Sequence, residues 1–381
     1  MSTFPDDWTY KRQISIDSGQ KSGTPSKIVL VLTDDALGDE NGPLDADGTA
    51  PCQNGGGDLR ASSDEDGTTQ IPLHVETCVT DNDHTAAVCI LHVNFDDLAS
   101  DSFWLHWGTG ETDTQPAVGD TYGQYAVYDS SEVAYYPLNS DPTGTNDNAA
   151  DGTYNLTSYG SMTAGDLVAG KVGDAIDFDG SNDYLYGSHP VQGPSVVTIE
   201  AWVYPHSSNQ TGVIIGADQG TGPYDFRFEL STGYIYARIG SAEGPQTTLD
   251  GAKPAANTWS HVVITSDGSN QRRYYNGAAT GTVDAGSHGV INTGGENPFV
   301  GVNNNNGNNS PGFVQYTEWD GLLQHISYHD RVLTADDIAT KHNSYDDNGS
   351  FWSVGAVQGA GGGAGGGGDD TAARRAKYLR P

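Results

Sequence analysis

Apolar residues in the first third of the chain come in short runs, several of them with apolar residues at every second position. TYKRQISI, KIVLVLT, IPLHVET, AAVCILHV and SFWLHWG are separated by clusters of Gly, Asp, Asn and Pro, the pattern of half-buried strands joined by turns. Residues 34–57, DDALGDENGPLDADGTAPCQNGGG, have almost no apolar content and are expected to form an exposed excursion. Farther along, VTIEAWVYP alternates Ile199, Ala201 and Val203 against Glu200, Trp202 and Tyr204. FDGSNDYL is expected to be strand–turn–strand, and DGSNQRRYYNG a hairpin whose return strand ends in an Asn-Gly turn. LTADDIATKHN supplies the one short helix, with Thr334 as N-cap and Asp337 completing a variant capping box. The apolar pattern stops after FWSVGAVQ (351–358). The expectation is an all-β protein of two β-sandwich domains, 1–129 and 130–357, followed by a Gly-rich linker, 358–368, and a C-terminal peptide, 369–381.

Two resemblances sharpen this. W-x-Y-K-R-x-I-x-I, GGGDLRASSDEDGTTQIPLHVET and FWLHWG occur in the order of an uncharacterised bacterial and archaeal β domain. Asp58, Leu59, Arg60, Asp66, Gly67, Pro72 and Glu76 stand at its pattern positions. In the second part, VAYYPLN, NAADGTYN, KVGDAIDFDGSNDYL, VTIEAWVYP, TWSHVVITSDGSNQRRYYNG, NPFVGVN and WDGLLQHISYHDRVLTADDIATKHN come in family order. Together they resemble the laminin-G-like jelly roll of the concanavalin A-like lectin/glucanase superfamily. The resemblance implies a concanavalin A-like jelly roll over about 130–357; fold alone does not fix function.

Composition suits turn-dense β structure, with 51 Gly, 20 Tyr and 2 Met. No stretch approaches the roughly 18 apolar residues of a membrane span. The net charge is −33, and 40 of the 50 acids are Asp against 7 Lys. In molar salt the Debye length falls to roughly 3 Å, so such a surface stays soluble, and a halophilic source is inferred. Nucleic-acid binding is disfavoured by the sign of the charge. Cys78 and Cys89 flank DNDH (81–84), so a hairpin there sets them opposite each other; a disulfide and a pair of plain strand residues are both compatible, and Cys52 is left over.

The superfamily's glucanases carry E-x-D-x-x-E on one strand. EWDGLL (318–323) supplies Glu318 and Asp320 but has Leu323 at the second catalytic acid, which removes the proton donor. His325 and His329 lie roughly 13 Å apart on an extended strand, too far for one ion shared with His342. Jelly rolls of this kind often hold Ca²⁺ near the ligand rim, and Asp141, Asp147 and Asp151 in SDPTGTNDNAADGT are the candidate ligands. Glycan contacts are expected from aromatic, amide and charged groups on loops, namely Tyr224, Asp225, Arg227, Asn304, Tyr316 and Trp319.

The ending DDTAARRAKYLRP concentrates Arg374, Arg375, Lys377 and Arg380, with Leu379, behind the Gly/Ala tract. It is expected to fold on docking to a partner. MSTFPDDWTYKRQISI shows no charged n-region followed by an apolar run, so no signal peptide is expected. Together these features lead to the expectation of a non-catalytic virion surface protein, a capsid spike or tail fibre of a tailed virus of a halophile. It would bind host glycans or S-layer glycoprotein, dock to other virion proteins through 369–381, and form a homo-oligomer by analogy with spikes. A ligand-free decoration protein, a glycan-degrading enzyme and a cellular surface adhesin are the alternatives.

Overall fold

The computed structural model describes residues 3–23, 25, 27–33, 42–44, 51–80, 88–109, 112–188, 196–217, 225–240, 250–285, 297–302, 317–346 and 348–359. Two units emerge, residues 1–129 with 339–380, and residues 130–338. Among the described residues no helix is long and apolar enough to cross a membrane.

The first unit is built from β1 (Tyr10–Ile16), β2 (Lys27–Thr33), β3 (Arg60–Ser62), β4 (Gln70–Ile71), β5 (His74–Val79), β6 (Val88–Asn94) and β7 (Ser102–Trp107). One sheet runs β1-β7-β3-β4 and the other β2-β6-β5. Between them lie Ile14, Ile28, Leu30, Leu32, Leu91, Phe103, Leu105 and Trp107, the alternate residues of their strands, each contributing about 1.5–3 kcal/mol by leaving water. The motif residues hold turns. Asp58 accepts from the Gln53 and Gly108 amides, both at 2.8 Å, and Arg60 donates to the carbonyls of Gly57, Leu59 and Thr114. Gly67 adopts φ 72°, and a Cβ there would come within 2.6 Å of Pro5.

Cys78 and Cys89 face each other in the β5–β6 register, as the hairpin requires. All three cysteines are buried free thiols, and the Sγ atoms of Cys52 and Cys78 are 3.6 Å apart. The leftover cysteine of the sequence thus belongs to the same cluster.

The second unit comprises β8 (Glu132–Tyr136), β9 (Thr145–Asn146), β10 (Leu156–Tyr159), β11 (Leu167–Ala169), β12 (Asp174–Asp179), β13 (Tyr184–Gly187), β14 (Val196–Pro205), β15 (Gly212–Ala217), β16 (Asp225–Ser231), β17 (Tyr234–Gly240), β18 (Ser260–Asp267), β19 (Asn270–Tyr275), β20 (Ala278–Ala285), β21 (Phe299–Val300) and β22 (Asp320–His329). An eight-stranded sheet, β11-β12-β22-β14-β18-β19-β20 with β8 on β22, packs on a seven-stranded sheet, β17-β16-β15-β21-β13-β10-β9. Ile199, Ala201, Val203, Val262, Ile264, Leu323, Ile326 and Tyr328 from the first meet Leu185, Ile215, Phe228, Leu230, Ile235 and Val300 from the second. This is a concanavalin-like jelly roll.

The local signals hold. Asp179 Oδ1 accepts from the Ser181 amide at 2.8 Å to close the β12–β13 turn. Asn276 and Gly277 take φ 47° and 77° between β19 and β20, as a type I′ turn demands. Helix α1 (Ala335–Asp346) starts on the reciprocal Thr334–Asp337 capping pair, both bonds at 3.1 Å.

Sequence alone ends the jelly roll at residue 357, whereas the second unit ends at Ile338. Two further strands, β23 (Trp352–Val354) and β24 (Gln358–Gly359), pair with β1, and Phe351 and Trp352 fill the first unit's core. Their apolar side chains have a place to go only in the first sandwich.

His106 on β7 is 3 % exposed, with Ser62 Oγ 2.7 Å from its Nε2 and the Phe4 ring edge-on at 5.2 Å. Burial, then the Lys11 charge, lowers its pKa to about 4, against some help from Asp64. The unfolded chain takes up this proton near pH 6.5. The contribution of His106 to stability is therefore fully present above that pH and is lost as pH falls towards 4, by on the order of 3 kcal/mol. Urea unfolding of His106→Gln at pH 7 and pH 4.5 is expected to show a smaller pH difference than the natural chain; equal differences would remove His106 as the cause.

Candidate functional site: the outer face of the seven-stranded sheet

Strand alternation gives the seven-stranded sheet a second face. Leu185, Val300, Ile215, Phe228 and Ile235 point into the core, so Tyr184, Tyr186, Phe299, Gly216, Arg227, Glu229, Tyr234 and Tyr236 point away from it. The rings form a continuous row across β10, β13 and β21. Tyr159 lies 5.2 Å from Tyr184, Tyr184 lies 5.8 Å from Phe299, and Phe299 lies 6.1 Å from Tyr186. Tyr184 and Phe299 are buried, Tyr186 is half-buried, and Tyr159 is 45 % exposed.

One cross-strand line links this row to charge. Tyr186 pairs with Phe299, Phe299 with Gly216, and Gly216 with Arg227. Gly216, itself buried, places no side chain between Phe299 and Arg227, whose Cα atoms are about 10 Å apart at two strand spacings. Arg227 Nε is 3.1 Å from Glu229 Oε2, and the guanidinium lies over the Tyr236 ring at 5.9 Å. The accessible part of this face, the Tyr159 and Tyr186 rings with the half-buried Arg227 held by Glu229, suits a polyhydroxylated ligand, which offers apolar C–H faces and hydroxyl rims.

The expected ligand residues distribute unevenly. Arg227 sits on this face, and Asp225 is two positions along the same strand. Trp319 is fully buried within the jelly-roll core, its amide bonded to the Gly301 carbonyl at 2.7 Å. That ring is packing rather than a platform, because the strand it precedes turns it inward. Tyr224, Asn304 and Tyr316 lie outside the described residues, as do Arg374, Arg375, Lys377, Leu379 and Arg380. Asp141 and Asp151 accept from the amides of Thr143 and Thr153, at 2.9 and 2.8 Å, closing their own turns, and Asp147 is exposed. The structure does not bring these three carboxylates together as a set; the convergent group among the described residues is Glu132, Glu200 and His329. Tyr184 and Tyr186 alternating with Leu185 were the sequence signal for the ring row.

The catalytic-acid motif is likewise placed. Asp320 bonds His206 Nδ1 at 2.8 Å, and Leu323, at the second acid's position, is buried in the core. A carboxylate there would have to sit among apolar side chains.

Residues 179–339 match a family model described as the concanavalin A-like lectin/glucanases superfamily. No curated protein matches the chain. Similar solved structures include domain 4 of AbnA, a GH43 extracellular arabinanase from Geobacillus stearothermophilus, in complex with arabinotriose. It is 15 % identical with a TM-score of 0.44, covering 55 % of this chain and 98 % of that one. The binding domain of Paraclostridial Mosquitocidal Protein 1 is 15 % identical with a TM-score of 0.43, covering 57 % and 53 %. The binding domain of botulinum neurotoxin serotype D/C VPI 5993 is 14 % identical with a TM-score of 0.40, covering 56 % and 52 %. The match spans about half the length of each of these two toxin domains.

Replacing Trp319 with Ala should cost about 3–5 kcal/mol in denaturant unfolding, the range for buried aromatic truncation. A cost below about 1 kcal/mol, typical of surface sites, would return Trp319 to the surface.

Proposed function

We propose that this protein is a non-catalytic binding module whose jelly roll recognises glycans through the outer face of its seven-stranded sheet. The row running from Tyr159 and Tyr186, through the buried Phe299 and across Gly216 to Arg227, is the observation that carries this reading. Tyr159 and Tyr186 supply the accessible stacking surface, and Arg227, oriented by the buried Glu229, supplies directed hydrogen bonding. The buried Leu323 argues against glycoside cleavage at the superfamily's acid position.

The finer proposal is display on the virion of a tailed virus of a halophile, facing host glycans or S-layer glycoprotein. The net charge of −33 and the basic peptide behind a Gly/Ala tract support it. Deleting 369–381 should abolish incorporation into particles; unchanged incorporation would leave the binding module without that anchor.

Glycan-array screening in molar salt is expected to return a carbohydrate ligand. Tyr159→Ala and Tyr186→Ala should each weaken its binding about tenfold, or about 1.4 kcal/mol, with unfolding little changed. Silence across the array, or affinity indifferent to Tyr159, Tyr186 and Arg227, would overturn the assignment.

A further inference from the structure

The eight-stranded sheet also has an outer face, and four neighbouring strands deliver metal-ligating side chains to one point on it. Glu200 on β14 pairs with Ser327 on β22 and Val263 on β18. His329 lies two positions from Ser327 and pairs with Glu132 on β8, and His261 lies two positions from Val263. Side chains two apart on a strand share a face, so all four converge. Each is at most 3 % exposed.

We propose that Glu132, Glu200 and His329 bind one divalent transition-metal cation of the zinc class, with His261 as an outer partner that orients Glu200. His329 Nε2 is 3.2 Å from Glu200 Oε1. Two ligand atoms on a tetrahedral zinc with bonds of about 2.0–2.1 Å are about 3.3 Å apart, so this edge already has the bound spacing. Ligand atoms of Glu132, Glu200 and His329 all lie within 4.8 Å of one another, and a change of the Glu132 carboxylate orientation closes the set. One imidazole and two carboxylates form a borderline donor set, softer than the all-oxygen shells of calcium and magnesium.

The surroundings have the form of an outer shell. His261 Nε2 is 3.2 Å from Glu200 Oε2, the oxygen facing away from His329. Ser327 Oγ donates to Glu132 Oε1 at 3.0 Å. The Trp202 ring stacks on His261 at 5.2 Å, with 23° between planes. Such contacts fix the rotamers of ligands and tune their basicity. The site lies on the sheet opposite the proposed glycan face, so either proposal can fail alone.

The test uses the full chain, equilibrated with zinc sulfate, desalted and analysed by plasma mass spectrometry. About one zinc per chain is expected, falling at least tenfold in Glu200→Gln and His329→Ala. His206→Ala, which alters the exposed Asp177–His206–Asp320 group, should leave zinc content unchanged. Glu132→Gln is nearly isosteric and serves if His329→Ala does not fold. Cobalt(II) loading should give visible absorption of a low-coordinate N/O site, lost in the same variants. Zinc absent from the natural chain, zinc undiminished in both Glu200→Gln and Glu132→Gln, loss in His206→Ala alone, or retention of calcium in place of zinc would each overturn the proposal.

Discussion

Strands β14 and β22 form the spine of the jelly roll, and their register breaks once. Glu200 pairs with Ser327 and Trp202 pairs with Gln324, so His325 and Ile326 together oppose Ala201. His325 adopts φ 52°, a left-handed conformation costing about 1–2 kcal/mol for a residue with a Cβ. Offsetting bonds hold it there: its amide donates to the Pro137 carbonyl at 3.1 Å, and its Nδ1 bonds the Tyr135 hydroxyl. The extra residue resets the alternation. Leu323 and Ile326, three apart, both reach the core, while Ser327 and His329 face away from it. Without the bulge one of these sets would point the wrong way.

Both outward faces depend on this phase. On the eight-stranded sheet it brings His329 to Glu200, and it turns Gln324 to staple the loop at Lys171–Asp174 by accepting from the Lys171 amide at 3.0 Å and donating to the Asp174 carbonyl at 2.6 Å. On the seven-stranded sheet the rings and Arg227 are turned outward because Leu185, Val300, Ile215 and Phe228 are claimed by the same core. Polar chemistry on either side is therefore positioned by apolar packing between the sheets. A core substitution that shifts one strand would be felt on both faces, since close-packed interiors transmit strain.

What sequence reveals here is whatever is local. Alternation in VTIEAWVYP, the Asp179 and Asn276–Gly277 turns and the Thr334–Asp337 cap each follow from a few consecutive residues, and each is present. The misplaced features need partners far along the chain. A straight period-2 reading of DGLLQHISYH puts His325 and His329 on one face, correctly, but gives no sign that Glu200 and Glu132 meet His329 there. Trp319 follows a polar loop-like run and carries no mark of the core contacts it makes. Phe351 and Trp352 pack with β1, more than 330 residues away in sequence, so the boundary at Ile338 was invisible to local pattern, which ran the jelly roll on to 357. Arg227 and Glu229 alternate with Phe228 and Leu230, so the outward side of that strand is marked by consecutive residues.

The two acidic residue types are used for different tasks, which bears on the meaning of the charge. Asp17, Asp141, Asp151, Asp179 and Asp267 each accept from the backbone amide two residues on, at 2.7–2.9 Å. This closed ring fits the one-methylene side chain of Asp and is out of reach for the longer Glu. Hydrogen bonds from Thr143 hold the Asp141 carboxyl below its usual range, and those from the Ser269 amide do the same for Asp267. Glu132, Glu200 and Glu229, by contrast, are buried and face Ser327, histidines or Arg227 from strands. Part of the excess of Asp over Glu thus answers the demand of a turn-dense β protein for short carboxylates that close loops. The high-salt reading must stand on the net charge of −33, because the choice of Asp already has a structural cause.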